Sequence, residues 1–334
     1  MKTKRIPIAH AGLMLGWILV GGCGDSSDSG VPPLIAEDGG VPPRIAEHVE
    51  QSLGRYVGAF TPAEEAMEDG VKTHAFAVPE DPLSEPRGPL CLRGDAFRMS
   101  TREGSSDELL IFMQGGGACW ETNCGARETA TPFFAGGVLD PSLAGNPVAD
   151  ANVVFMPNCD GSIYLGDVDR MLAPNRVAAE PDPEPFMGYQ RGLQNLTAAL
   201  DVGKREFPNP SRVVIVAASA GAFGSLAATS LVRTYYPGVD ILLFNDSGIG
   251  VATGDAAFLE DRLLDGWNIS GLIPDTCTDC TTNGHATRLV EWNLEQDPRL
   301  RISSFTFSRD FVISVTLLDV PGEQFEMMYL EETA

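Results

Sequence analysis

Positive charge and histidine are both scarce in this chain. Its 334 residues hold 23 Lys and Arg against 46 Asp and Glu, a formal charge of −23. Phosphate binding needs clustered basic side chains, so nucleic acid is excluded as a partner. The acidity implies a well-hydrated surface and carries no information on fold. The apolar run Ala11 to Val20 is too short to span a bilayer stably. No Gly-Lys-Ser/Thr follows the glycine run at Gly115–Gly117, which excludes a phosphate-binding P-loop there. The four histidines are His10, His48, His74 and His285, and none lies beyond residue 285.

The first 22 residues read as a signal segment. Lys2, Lys4 and Arg5 precede the apolar run, and Leu19-Val20-Gly21-Gly22-Cys23 resembles a bacterial lipobox. That resemblance implies cleavage before Cys23, lipidation there, and an exported protein tethered to a cell-envelope membrane by its lipid alone. Residues 23–55 read as a tether. It is Ser/Asp/Gly-rich at first and then carries one unit twice, Gly30-Val-Pro-Pro-Leu-Ile-Ala-Glu and Gly40-Val-Pro-Pro-Arg-Ile-Ala-Glu. The Pro-Pro pairs favour an extended, semi-rigid spacer, with His48 solvated in it. The folded domain is expected from Tyr56 to Ala334.

Six cysteines remain: Cys91, Cys119, Cys124, Cys159, Cys277 and Cys280. An even number in an exported chain suggests three disulfides, with 15 connectivities open. Proximity favours Cys119–Cys124 and Cys277–Cys280, leaving Cys91–Cys159. Cys277-x-x-Cys280 with His285 nearby also has metal-like spacing, but no second pair completes a four-ligand zinc site, so no metal is expected. No cofactor is expected either.

Short apolar runs alternate with helix-like stretches. Leu109–Met113, Asn152–Met156, Val213–Ala217, Val239–Phe244 and Ile302–Phe307 read as strands. Gln190–Lys204, Ala222–Tyr235 and Arg288–Asn293 read as helices, and a further helix is expected to start at Phe311–Leu317. The alternation argues for an α/β fold with a mostly parallel sheet. Ligands of such sheets sit past the carboxyl ends of the strands, where Gly115, Ser219 and Asp246 fall.

One junction carries chemistry. Val213 to Ala217 is followed by Ala218-Ser219-Ala220-Gly221 and then a helix. A strand that stops at a serine among very small residues builds a nucleophile elbow, whose usual form is Gly-x-Ser-x-Gly. Here Ala217 takes the first glycine's place. An early strand is followed by Gln114-Gly115-Gly116-Gly117-Ala118-Cys119-Trp120, a loop able to turn backbone N–H groups toward a ligand.

In this order the motifs resemble the pectin acetylesterase/Notum family of carboxylesterases. The resemblance rests on Gly115–Trp120 with Cys124, on Val153–Gly161 (Val-Val-Phe-Met-Pro-Asn-Cys-Asp-Gly) with Gly166-Asp167, on Ala217–Gly221, and on Asn245-Asp246-Ser247-Gly248. It covers roughly Leu90 to the C-terminus. It implies an α/β-hydrolase-like fold, a Ser–His–Asp triad, no metal, and hydrolysis of an acyl ester on a carbohydrate or protein, and it supports the three disulfides. Ser219 becomes the nucleophile. Gly116, Gly117 and Ala220 become oxyanion N–H donors, and Asp310 the acid. Asp310 also suits a helix N-cap. Asp246 is the rival acid, and Ser219–Asp246–His285 the alternative triad, although His285 is expected in a cap or surface loop. His74 is expected to be a partly exposed surface residue.

The base is missing where the family order Ser, acid, His would put it, beyond Asp310. The expectation is a domain lacking its last strand, histidine loop and closing helix, and so leaving an unpaired sheet edge. The substrate expected is an acetyl ester on a polysaccharide. The alternative is a catalytically inactive binding protein of the same fold.

Overall fold

The computed structural model describes residues 40–83, 87–177 and 184–334. The signal segment, Cys23 and the first Pro-Pro unit lie outside the described residues. The second Pro-Pro unit does not form an extended tether. Helix α1 spans Pro43–Gln51, with Pro42 at its N-cap and Pro43 in the first turn, where a missing N–H costs nothing. Ile45, His48 and Val49 are buried on one face of α1, and Leu53 follows them into the core. His48 meets Trp292 edge to face, ring centroids 5.7 Å apart. The packed domain therefore begins before Tyr56, and His48 is not solvated. Burying one helical face outweighs the Pro-Pro preference for extension.

Strands β1 (Glu64–Glu68), β2 (Val71–Ala75) and β3 (Arg98–Arg102) form an antiparallel run. Then come β4 (Leu109–Met113), a small antiparallel pair β5 (Gly117–Trp120) and β6 (Asn123–Ala126), and β7 (Asn152–Met156). A second antiparallel pair, β8 (Val168–Leu172) and β9 (Phe186–Gln190), precedes helix α2 (Gly192–Glu206). The remainder is β10 (Arg212–Ala218), α3 (Ala220–Tyr235), β11 (Asp240–Asp246), α4 (Arg288–Gln296), β12 (Leu300–Phe305) and α5 (Gly322–Glu332). The main sheet is ordered β1-β2-β3-β7-β4-β10-β11-β12. β7, β4, β10, β11 and β12 pair in parallel. The fold is thus α/β with a mostly parallel central sheet and flanking helices.

The strand period of two assigns side chains to the two faces. Leu109, Ile111 and Met113, Val154 and Met156, Val213, Ile215 and Ala217, and Ile241 and Leu243 share one core cluster with residues of α1, α2 and α3. Leu110, Val153 and Phe155 join Leu139, Val148 and Ala151 in a cluster on the other face. That second cover does not reach β12, whose Ser303, Ser304 and Phe305 are exposed at the sheet edge.

The three disulfides are Cys91–Cys159, Cys119–Cys124 and Cys277–Cys280. The second bridges directly opposed residues of β5 and β6. No helix among the described residues is long and apolar enough to cross a membrane.

Candidate active site

β10 gives way to α3 through a single residue, Ser219, at φ 51° and ψ −119°. A side chain rarely occupies this region, so the turn is held by its surroundings rather than by local preference. Ser219 N–H donates to Asp246 O at 2.8 Å, and Ser219 O accepts from Phe223 N–H at 3.0 Å. The sheet on one side and the helix on the other fix the backbone. Small neighbours are obligatory. A Cβ on Gly221 would lie 2.8 Å from Met113 C and 3.0 Å from Gln114 O, and one on Gly115 would lie 3.0 Å from Ser219 Cβ. Ser247, at φ 68°, repeats the strain beside it, and its N–H is tied to Phe305 O at 2.8 Å.

Ser219 is half-buried, and among the described residues its hydroxyl has no hydrogen-bond partner. It opens into a pocket of about 610 Å³ with Ala218, Asp246, Ser247 and the segment 307–313. Asp246 and Asp310 both line this pocket, so Ser219 and the two candidate acids are brought together. Asp246 Oδ1 accepts from Ser247 Oγ at 2.9 Å. Asp310 Oδ1 accepts from Ile313 N–H at 2.9 Å, and its carbonyl accepts from Ser314 N–H at 2.8 Å. Asp310 thus caps the wide helical turn at Val312–Leu317.

The oxyanion candidates stand on two elements. Ala220 is the first residue of α3, so its N–H has no acceptor within the helix. Gly116 O accepts from Arg127 N–H at 2.8 Å. This makes Gly117–Ala126 a non-hydrogen-bonded pair of the β5–β6 ladder, which leaves Gly117 N–H aimed away from β6. Gly116 N–H has no hydrogen-bond acceptor among the described residues. The glycine packed directly on Ser219 is Gly115, which the sequence reading left out of the donor set.

Among the described residues, no histidine lines the Ser219 pocket. His285 is buried, not on a surface loop. Its Nδ1 accepts from Ala252 N–H at 2.9 Å. Burial lowers its pKa, with Glu332 and Glu331 pulling the other way. Glu332 of α5 accepts from Asn283 Nδ2 at 2.7 Å and from the Thr287 hydroxyl, closing the loop around His285. His74 is fully buried as well, bonded to Glu65 Oε1 at 2.8 Å and Thr101 Oγ1 at 2.9 Å. Its strand neighbours were legible, but the partner carboxylate across the β1–β2 pair was not. Glu65, His74 and Glu206 form the one group of potential metal ligands among the described residues. Lys72 already bridges Glu65 and Glu206 at 3.1 and 3.0 Å, and Arg205 also reaches both, so two cationic side chains fill that position.

A separate apolar pocket of about 90 Å³ is walled by Phe223, Leu226, Trp120, Leu259, Leu263 and Trp267 among others. Nothing in the sequence pattern marked it, because its walls come from segments far apart in sequence. No family model matches this chain, and no curated protein matches it.

Proposed function

We propose that this protein is an exported serine carboxylesterase of α/β-hydrolase-like fold that removes an O-acyl group, in the first instance acetyl, from a polysaccharide. The observation that carries this reading is Ser219. It is held at φ 51° between a central strand and a helix N-terminus, with its hydroxyl unbonded among the described residues and the residue lining a pocket. Such strain persists where the surroundings over-determine it, and it clusters at functional sites.

The chemistry follows from the arrangement. Ser219 Oγ attacks the ester carbonyl carbon and loses its proton to an external base, since no histidine among the described residues lines the pocket. The carbonyl oxygen becomes an oxyanion, taken by the N–H groups of Ala220, Gly116 and Gly117. The tetrahedral centre collapses, the C–O bond to the sugar breaks, and the sugar oxygen takes up a proton. Water then hydrolyses the acyl-enzyme by the same route. Asp310 and Asp246 line the same pocket and are the candidate acids. At the envelope the protein would be held by acylation of Cys23, for which mass spectrometry of the exported form is expected to find an acylated Cys23 as its first residue.

The histidine-free pocket favours a second reading, a binding protein of the same fold whose serine is not activated. A fluorophosphonate probe separates the two. Labelling of Ser219, lost in Ser219→Ala, supports the esterase; an unlabelled protein leaves the binding reading. An ester series of increasing acyl length tests the acetyl assignment, which a clear preference for long chains would overturn.

A further inference from the structure

The loop Gln114–Gly117 is only half fixed. In a trans peptide the C=O of one residue and the N–H of the next point opposite ways, so anchoring a carbonyl aims the following N–H. The Gly116–Gly117 peptide is anchored in this way, its carbonyl held by Arg127 N–H at 2.8 Å. The preceding peptide is not: Gly115 O has no hydrogen-bond donor among the described residues. Gly115–Gly116 is the peptide whose N–H, on Gly116, is the proposed oxyanion donor.

Asn158 lies against this peptide. Its Oδ1, Cβ and Cγ stand 2.6, 2.8 and 2.9 Å from where a Cβ on Gly116 would be, so the absence of that Cβ is what admits the amide. Asn158 is 0% exposed, yet among the described residues neither Oδ1 nor Nδ2 has a hydrogen-bond partner. Gln114 Oε1, at the start of the same loop, is buried and unpartnered too. A buried amide with both ends unmade bears the full desolvation cost of its polar atoms. Buried polar groups are otherwise almost always bonded, and exceptions mark sites that something completes. Other groups around β7 are bonded in part, although Asp160 Oδ1 is also buried and unpartnered. Tyr164 Oη donates to Gln114 O at 2.8 Å and Met156 O at 2.7 Å, and Ser162 N–H donates to Asp160 Oδ2 at 2.8 Å.

We propose that Asn158 is a positioning residue of the oxyanion loop. Its Nδ2 takes the free Gly115 carbonyl when an anionic oxygen occupies the site, and so turns Gly116 N–H toward that oxygen. The two ends of the amide interchange by a half-turn about the terminal torsion, so either starting orientation serves. Three glycines in succession let the peptide rotate at little steric cost. The proposal rests on the serine-hydrolase reading above.

The test is the rate of fluorophosphonate labelling of Ser219 in the full chain, resolved into kinact and KI, for the unaltered protein, Asn158→Leu and Asn158→Ala. Leucine fills the same space without unpaired polar atoms, and such a swap is neutral or stabilising in a core. A purely structural Asn158 therefore leaves kinact unchanged in Asn158→Leu while Tm holds or rises. A positioning Asn158 gives a kinact lower by about 10- to 100-fold at unchanged KI, against the 100- to 1,000-fold cost of deleting one oxyanion donor outright. Asn158→Ala, which leaves only a small cavity, is expected to show the same fall should leucine not fit. Unchanged kinact in either folded variant overturns the proposal alone. Failure of the unaltered protein to label, with or without added imidazole, overturns the serine-hydrolase reading and this proposal with it.

Discussion

Acidification is expected to loosen α1 through a single side chain. Burial of His48 lowers its pKa from 6.5 to about 4, against the opposing pull of Asp275. Because the folded value lies below the unfolded one, the contribution of the neutral ring is complete above pH 6.5 and is lost as the pH falls through 4. The whole window is worth about 3 kcal/mol, at roughly 1.4 kcal/mol per unit. Between pH 8 and pH 5 the linkage relation gives a loss of about 2 kcal/mol, or roughly 4 °C in Tm for a domain of this size. His74 and His285 are also buried with lowered pKa values and push in the same direction. The quantity to measure is therefore a difference. The fall in Tm from pH 8 to pH 5 is expected to be about 4 °C smaller in His48→Leu than in the unaltered protein. Amide exchange in residues 43–51 should accelerate at pH 5 only where His48 is present. Equal falls in Tm in the two proteins would show that His48 does not titrate from a buried, neutral state, and that α1 is not docked as described.

Three further expectations concern the elbow and the staples. Ser219→Gly relieves a backbone strain of about 1–3 kcal/mol and should melt higher than Ser219→Ala, net of glycine's entropic cost; equal melting temperatures would contradict the strain. Gly221→Val forces side-chain atoms onto Met113 and Gln114 backbone and should cost at least about 1–3 kcal/mol in urea melts, with loss of any Ser219 labelling; a neutral effect would mean the strand–helix junction is looser than observed. Removing Cys91–Cys159, which closes a separation of 68 residues, should cost about 4 kcal/mol in the chain-entropy account, and removing Cys277–Cys280, with a separation of 3, distinctly less. Paired Cys→Ser variants in denaturant melts compare the two, and the reverse order would count against the assignment.

The parallel core was legible because its strands are short apolar runs bounded by turn residues, as at Leu109–Met113 and Arg212–Ala218. The elbow was legible for a steric reason: only very small residues fit where Gly221 meets Met113. Helix α1 was missed because Pro42-Pro43 suits both an extended spacer and a helix start. The spacing of Ile45, Val49 and Leu53, four residues apart, held the deciding signal. The buried states of His74 and His285, and the unpaired amide of Asn158, depend on neighbours far away in sequence, which no local pattern encodes. Asp310 is a case of one position with two local meanings: it caps a turn and lines the pocket at once.

The central proposal is that Ser219 is a nucleophile, and no histidine among the described residues lines its pocket. Its most direct test is intact-protein and peptide mass spectrometry after fluorophosphonate treatment, with and without added imidazole as an external base. A single adduct on Ser219 is expected, formed slowly alone, faster with imidazole, and absent from Ser219→Ala. A folded protein that carries no adduct on Ser219 under either condition would contradict it.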